Sequence, residues 1–423
     1  MRIIQVLHQF LPRAIAGTEI YTYNLSAELS KRHEVYVYCR EDGFFEREFH
    51  EIDDTYKGLP VRRVYFNLIG RQANPINQFL ATFKSKTIER SFEGFLEQVK
   101  PDIVHIQHLY RLSASLISIA KRQGVPVVVT LHDYWFICPE IRLLRPNLEV
   151  CPGPLLGLRC SGCVKLSSSA WVSTLLRPLT AFLCVYRMAY MGGCLKEADL
   201  LIAPCSFLKS KFVESGFSQD SILVSECGIN IKPFQDFRKR PSKKLRFGYM
   251  GTIHRHKGVH ILIEAFNRIK DPRVELKIFG DHLVDPDYFA EVQAMAAHNP
   301  KIQFLGRYNN SDIGRILSEI DVLVVPSIWY EIGPLTIREA FAAKVPVIAS
   351  RLGAMPDLVE DGIRGLLVKP GDADDLLNRM HLLVEDRELI RQFQSNIGPV
   401  KSIEENAQEL ERIYKRLIEA RRR

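Results

Sequence analysis

The chain has 423 residues, 46% hydrophobic and 25% charged, with 57 Lys and Arg against 49 Asp and Glu, a net charge of +8. That length is too great for one ordinary core and suits two domains, and the ordinary globular composition excludes disordered, collagenous and coiled-coil chains. The basic excess, with Arg421-Arg422-Arg423 at the end, suits phosphates or an anionic bilayer surface; no aromatic-interleaved basic motif or zinc-finger spacing accompanies it, which argues against nucleic acid.

Residues 1–7 read as a strand and lack the charged start, apolar middle and small-residue cleavage site of a signal peptide, so a cytoplasmic protein is expected. Short β-branched runs then alternate with helical stretches: strands at 3–8, 35–39, 61–65, 103–107 and 125–131, with helices at 18–31, 78–99 and 113–122. Near-continuous apolar strands between helices predict a parallel sheet covered on both faces. A strand at 200–203, a helix from about 206 and a strand at 222–225 complete a first domain, 1–232, with a cysteine-containing insert at about 134–165. The segment 233–244 is polar, basic and bears Pro233 and Pro241, as an exposed linker does. A second α/β series fills 245–395, and a helix at 396–423 is expected to pack back on the first domain.

Ligands of such sheets sit beyond the carboxyl ends of the strands. After the first strand, Ala16-Gly17-Thr18-Glu19 opens a helix whose amides can receive a phosphate. It is not G-x-G-x-x-G, which counts against an ordinary NAD or FAD site. In the second domain Gly251-Thr252-Ile253-His254-Arg255-His256-Lys257-Gly258 joins a strand to a helix and concentrates cations that a diphosphate needs. Further on, Glu331-Ile332-Gly333-Pro334-Leu335-Thr336-Ile337-Arg338-Glu339 makes a turn into a helix, with Pro334 at the first helical position, where its missing N–H costs nothing. Glu331 can accept sugar hydroxyls, Glu339 can chelate a ribose, and the amides near Leu335 and Thr336 can face phosphates. The string Asp285-Pro286-Asp287 matches a D-x-D metal motif but reads as an ordinary loop.

The Glu331…Glu339 pair, Gly333-Pro334, the run 340–350, Gly353, Asp361-Gly362-Ile363-Arg364-Gly365, Lys257-Gly258, Gly17 and His132 together resemble family 4 glycosyltransferases of the GT-B fold. The resemblance implies two Rossmann-like α/β domains facing each other across a cleft, and transfer of a hexosyl group from a nucleoside diphosphate to a glycan or lipid-linked acceptor. It implies retention of anomeric configuration, no catalytic metal, and a place in cell-surface polysaccharide or glycolipid synthesis. Glu339 would bind the donor ribose, Glu331 the transferred sugar, and Lys257 the diphosphate, with Gly17 closing over it and His132 beside sugar and acceptor. Thr252 stands where many members carry a phosphate-binding Arg, so Arg255 is the candidate substitute. The alternatives are a nucleotide-sugar epimerase of the same class and a non-catalytic nucleotide-sugar-binding protein.

Between His132 and the next strand lie Cys138, Cys151, Cys160 and Cys163, four of nine cysteines. C-x2-C with two further cysteines can surround a structural Zn²⁺; an iron–sulfur cluster, a disulfide pair and unliganded thiols are the alternatives. The stretch 166–193, with Trp171, Arg177, Phe182 and Arg187, suits either core packing or peripheral contact with a membrane surface. Its charged residues and Pro178 leave no apolar run long enough to span a bilayer.

Overall fold

The computed structural model describes residues 1–43, 49–67 and 74–422; Arg423, last of the terminal arginines, lies outside them. The chain divides into two compact units, one comprising residues 1–146, 151–228 and 403–423, the other 147–150 and 229–402.

In the first unit β1 (Arg2–Leu7), β2 (Glu34–Gly43), β3 (Phe49–Tyr56), β4 (Leu59–Asn67), β5 (Ile103–Ile106), β6 (Val127–Thr130), β7 (Leu200–Ala203) and β8 (Ile222–Val224) form one sheet. Its order is β3-β4-β2-β1-β5-β6-β7-β8. The strands β1, β5 and β6 are apolar and buried almost throughout, because helices cover both faces. One strand departs from the parallel pattern. β3 runs antiparallel to β4 at the edge, and its FHEIDDTY sequence is mostly exposed. Its carboxylates are spent on the neighbouring strand: Glu51 and Asp53 pair with Arg62, and Asp54 with Arg63. Such charge blunts an open edge and also removes the apolar signal by which a strand is recognised. The stretch expected as one helix over 78–99 is two, Pro75–Ala81 and Lys86–Val99, the second capped by Ser85 Oγ accepting from Ile88 N.

In the second unit β9 (Leu245–Met250), β10 (Val274–Phe279), β11 (Ile302–Gly306), β12 (Val322–Val325), β13 (Val347–Ser350) and β14 (Gly365–Val368) lie in the order β11-β10-β9-β12-β13-β14. Every pairing is parallel. Both units are Rossmann-like, and in each the strand order reverses beside the first strand, at β1/β5 and at β9/β12. Loops diverge from such a point and leave a crevice.

The segment 233–244 is not a free linker. Phe234 is buried in the second unit's core with Ile313 and Leu317, Pro233 O lies against Gly314, and Arg240 N donates to Ser318 O while its side chain pairs with Glu319. Charge and proline content concealed one buried phenylalanine.

The helix Ile403–Arg422 belongs to the first unit. It buries Ile403, Ala407, Leu410, Ile413 and Tyr414 in one stripe, against Tyr21, Leu25 and Leu29 of the helix Gly17–Leu29 and Ile3 and Leu7 of β1. Polar ties fix its register. Asn406, 2% exposed, accepts on Oδ1 from Tyr21 Oη at 2.8 Å and from Gly228 N at 3.1 Å. Asn406→Ala leaves two buried donors unanswered, so urea unfolding is expected to show a loss of about 2–4 kcal/mol, whereas a change at exposed Lys415 stays within about 0.5 kcal/mol.

Candidate active site

In the second unit the site residues stand on the loops after β9 and β12. Lys257 ends the turn Arg255–Lys257, and the next residue, Gly258, adopts φ +74°, where a Cβ would stand 2.0 Å from Pro326 O. Only glycine lets the β9 loop approach the β12 loop this closely. Ile328 N then donates to His256 O at 2.9 Å across the contact.

Glu331 is the centre of this cluster. It is 5% exposed, and its Oε1 accepts from Lys257 Nζ at 2.7 Å, Ser327 Oγ at 2.7 Å and Trp329 Nε1 at 2.8 Å. Lys257 Nζ also lies over the Trp329 ring, 4.9 Å from its centroid. A buried carboxylate stripped of water is costly unless charge and hydrogen bonds replace the water; here one ammonium and two neutral donors do so. Its backbone is held as well, since Ala354 N donates to Glu331 O at 2.8 Å. Gly353 makes room there, because a Cβ on it would meet Glu331 O at 2.4 Å.

The helix Leu335–Ala342 has Pro334 as its N-cap rather than at its first helical position, and among the described residues no side chain caps it. The amides of Leu335 and Thr336 therefore present the positive end of the helix to a ligand. Gly333 sits in the preceding turn, over Arg338, whose Nη2 would lie 3.7 Å from a Cβ there. Glu339, 8% exposed, is raised by burial from 4.5 to about 7. Tyr308, at the carboxyl end of β11, is pushed above the usual phenol range by burial and by the Glu339 carboxyl.

Arg255 is not gathered with these groups. It pairs with Glu291 and lies over the Tyr288 ring, so the cation at this loop is Lys257. Asp285 caps the helix Pro286–Ala296 by accepting from Tyr288 N.

In the first unit the helix Gly17–Leu29 opens at Gly17, which is exposed, with no side-chain cap among the described residues. His132 follows β6, and its Nε2 lies 2.7 Å from Gln107 Oε1. Gln107 Nε2 donates to Gln5 Oε1 at 2.9 Å, so its oxygen is the acceptor and His132 carries its proton on Nε2. Burial, with His108 nearby, lowers His132 to about 3. It is a neutral imidazole that can accept through Nδ1, not a cation. Behind it His105 touches Tyr414 Oη and, at 2.7 Å, Thr130 Oγ1. Beside it His108 bonds Asp133, and its ring lies 4.3 Å from that of His8. Glu19 stands 3.5 Å from His8 and is raised by burial. Sequence reasoning missed Gln5, His8, His105, Gln107, His108 and Glu19; their signal is position, at or just beyond strands β1 and β5 or in the first turn of the following helix.

Cys138, Cys151, Cys160 and Cys163 line one small cavity, and all four are free thiols. Among the described residues no group of three or more His, Cys, Asp or Glu is positioned to hold a metal ion, so the expected zinc ligands are neighbours without forming a closed set.

With this geometry in view, the comparisons decide the family. The model for Glycosyltransferase Family 4 matches residues 15–232, and that for glycosyl transferases group 1 matches 231–398. The chain belongs to glycosyltransferase family 4. Among curated relatives of this family 4 chain, a sulfoquinovosyl transferase of Arabidopsis thaliana is 21% identical over 79% of the chain, which spans 60% of that protein's length. An uncharacterised protein from the cps region of Klebsiella pneumoniae is 23% identical, covering 85% of this chain and 87% of that one. Among solved structures, sucrose-phosphate synthase from Thermosynechococcus elongatus superposes with a TM-score of 0.71 at 19% identity over 99% of both chains. HepE of Anabaena, in complex with UDP and glucose, gives 0.62 at 18% identity over 99% of both. These likenesses establish the GT-B fold.

Glu339 makes a testable signature of this family 4 site. Its folded value, about 7, lies above 4.5, so the folded form binds more protons between the two and is favoured most below about pH 4.5. That advantage is lost as pH rises through 7, of the order of 3 kcal/mol in all. Glu339→Gln is expected to flatten this part of the curve of unfolding free energy against pH; an unchanged slope would mean that the carboxyl ionises freely in the folded state.

Proposed function

We propose that this glycosyltransferase moves a hexosyl group from a nucleoside diphosphate to a glycan or lipid-linked acceptor, with retention and without a catalytic metal. The observation that carries the reading is the convergence of Lys257, Ser327 and Trp329 on Glu331 beside the uncapped start of the helix at Leu335. Anion compensation and a sugar-hydroxyl acceptor thus stand together at the reversal point of the sheet. Solved relatives of the same fold are described with UDP and glucose or with UDP-2-fluoro glucose, which makes UDP-sugars the first donors to try.

In this reading the diphosphate lies at the amides of Leu335 and Thr336, with Lys257 compensating its charge as the sugar–phosphate bond breaks. Glu331, held by its three donors, offers its other oxygen to the sugar, and ionised Glu339 accepts from the ribose hydroxyls. The C1–O bond to the phosphate breaks and the acceptor oxygen bonds C1 on the same face. A leaving phosphate oxygen takes the acceptor's proton. Gly17 adds an uncapped helix start for the phosphates. His132, neutral, orients a hydroxyl through Nδ1 and does not serve as a base, since its value of about 3 is far from working pH.

Support for a lipid-linked acceptor comes from the first unit's surface. Leu156, Trp171 and Phe182 are 75%, 74% and 68% exposed, with Leu155, Leu158 and Leu175 also exposed. Exposed Arg159, Lys165 and Arg177 stand among them. The apolar residues lie on the turn Leu155–Gly162 and the helices Ala170–Leu175 and Arg177–Lys196, and among the described residues no helix is long and apolar enough to cross a membrane. Large apolar side chains with interspersed cations suit peripheral seating on anionic lipid.

Nucleotide release from a panel of UDP-, GDP- and ADP-sugars in EDTA should single out one donor, with slow hydrolysis when no acceptor is supplied. Glu339→Ala is expected to weaken nucleotide binding at least tenfold, and release from no donor would overturn the transferase reading. Separately, vesicles containing phosphatidylglycerol should sediment the protein, and the double variant Trp171→Ser, Phe182→Ser should lose about tenfold in vesicle affinity with donor hydrolysis unchanged. Equal sedimentation of variant and wild type would remove the membrane from the proposal.

A further inference from the structure

The helix Arg177–Lys196 turns Arg187 inward. This side chain is 1% exposed, and its Nη2 donates to Trp135 O, yet its Nε and Nη1 have no partner among the described residues. A guanidinium so enclosed, with two donors unanswered, is costly unless negative charge lies beside it. The ionisable groups around it are the thiols of Cys138, Cys160 and Cys184, and Asp133. Neutral thiols are poor company for a buried cation; thiolates are good company.

Two of these thiols, Cys138 and Cys160, line one cavity with Cys151 and Cys163, to which Arg145 and Arg159 also contribute.

The surrounding backbone gives a second, independent observation. No helix or named strand lies between β6 and the turn at Leu155, and Ile141, Leu143, Leu148, Leu155 and Leu156 are held at positive φ without being glycine. A long irregular segment with that much left-handed backbone needs something other than regular hydrogen bonding to fix it. Its turns are short and cysteine-centred: Cys151 N donates to Leu143 O at 2.7 Å, and Cys163 N to Cys160 O at 2.9 Å.

We propose that Cys138, Cys151, Cys160 and Cys163 bind one Zn²⁺ as thiolates, with Arg187 directing its unpartnered N–H groups at their sulfurs as the buried counter-charge. On binding, the four thiols release four protons to solvent and four sulfur–zinc bonds form, with no change of oxidation state. The tetrathiolate centre carries two negative charges, and Arg187, Arg145 and Arg159 surround it with three positive ones. The thiols as they stand do not form a closed ligand set, so the ion draws them inward from the cavity walls and locks the irregular segment. Cys184 lies on the helix facing this cavity but outside the set. The site is structural: four protein ligands leave no open position for chemistry.

The test is a metal count on the full chain, purified under reducing conditions and then incubated with Zn²⁺ and desalted. About one zinc per chain is expected, released by a mercurial reagent into a chromogenic chelator. Cys160→Ser and Cys163→Ser should each hold less than about a tenth of that, while Cys184→Ser retains it. Arg187→Met should lose zinc about tenfold more readily in chelator competition. If the cysteine variants do not fold, the wild-type count and the thiolate-to-cobalt absorption after Co²⁺ substitution still decide. Less than about a tenth of an equivalent of zinc in folded, reduced protein, iron in its place, or disulfides among these cysteines in the protein as isolated would overturn the proposal.

Discussion

The Glu331 carboxylate is the constraint on which the second unit's site depends. A carboxylate taken almost wholly out of water must recover its hydration from protein donors, and it does so from two loops at once: Lys257 from the one after β9, Ser327 and Trp329 from its own. The carboxylate therefore fastens the two loops to each other at the sheet's reversal point. Gly258 and Gly353 are where this fastening requires the absence of a side chain, because in each case a Cβ would fall on a neighbouring carbonyl. Without Gly258 the loops after β9 and β12 could not close to hydrogen-bonding range, and without Gly353 the loop after β13 could not reach Glu331 O.

The first unit solves a different problem. At and beyond the carboxyl ends of β1, β5 and β6 a relay of neutral groups runs from His132 through Gln107 to Gln5, with His105 and Tyr414 beside it and the His108–Asp133 contact next to it. Neutrality is enforced by desolvation, which holds His105 and His132 at about 3. A relay of this kind fixes orientation and tautomer and contributes no charge.

Both Rossmann-like sheets were legible because their central strands are apolar runs, and the second unit's candidate residues could be singled out because they cluster in two short segments, 251–258 and 331–339. What escaped notice lies where several distant segments each contribute one side chain. Gln5, His105, Gln107 and Tyr414 are far apart in the chain and individually unremarkable; only strand order brings them together. Phe234 escaped because its neighbours are polar, and β3 because an edge strand that protects itself with carboxylates reads as a loop. Arg255 shows the opposite failure: a cation in the right loop, drawn away by Glu291, a partner on another helix.

The return of the chain to the first unit after residue 402 sets an order on biosynthesis. The second unit's six strands all lie within 245–368, so it can close while the polypeptide is still being extended. The first unit lacks the stripe Ile403–Tyr414 until residues 403–422 emerge. For a stretch of translation the earlier-made half must wait, with Tyr21 Oη and Gly228 N unanswered and part of its apolar surface uncovered, for the helix Ile403–Arg422. The usual amino-to-carboxyl order of domain completion is inverted, and any ribosomal pause before residues 403–422 emerge would prolong the interval in which a chaperone could engage that surface.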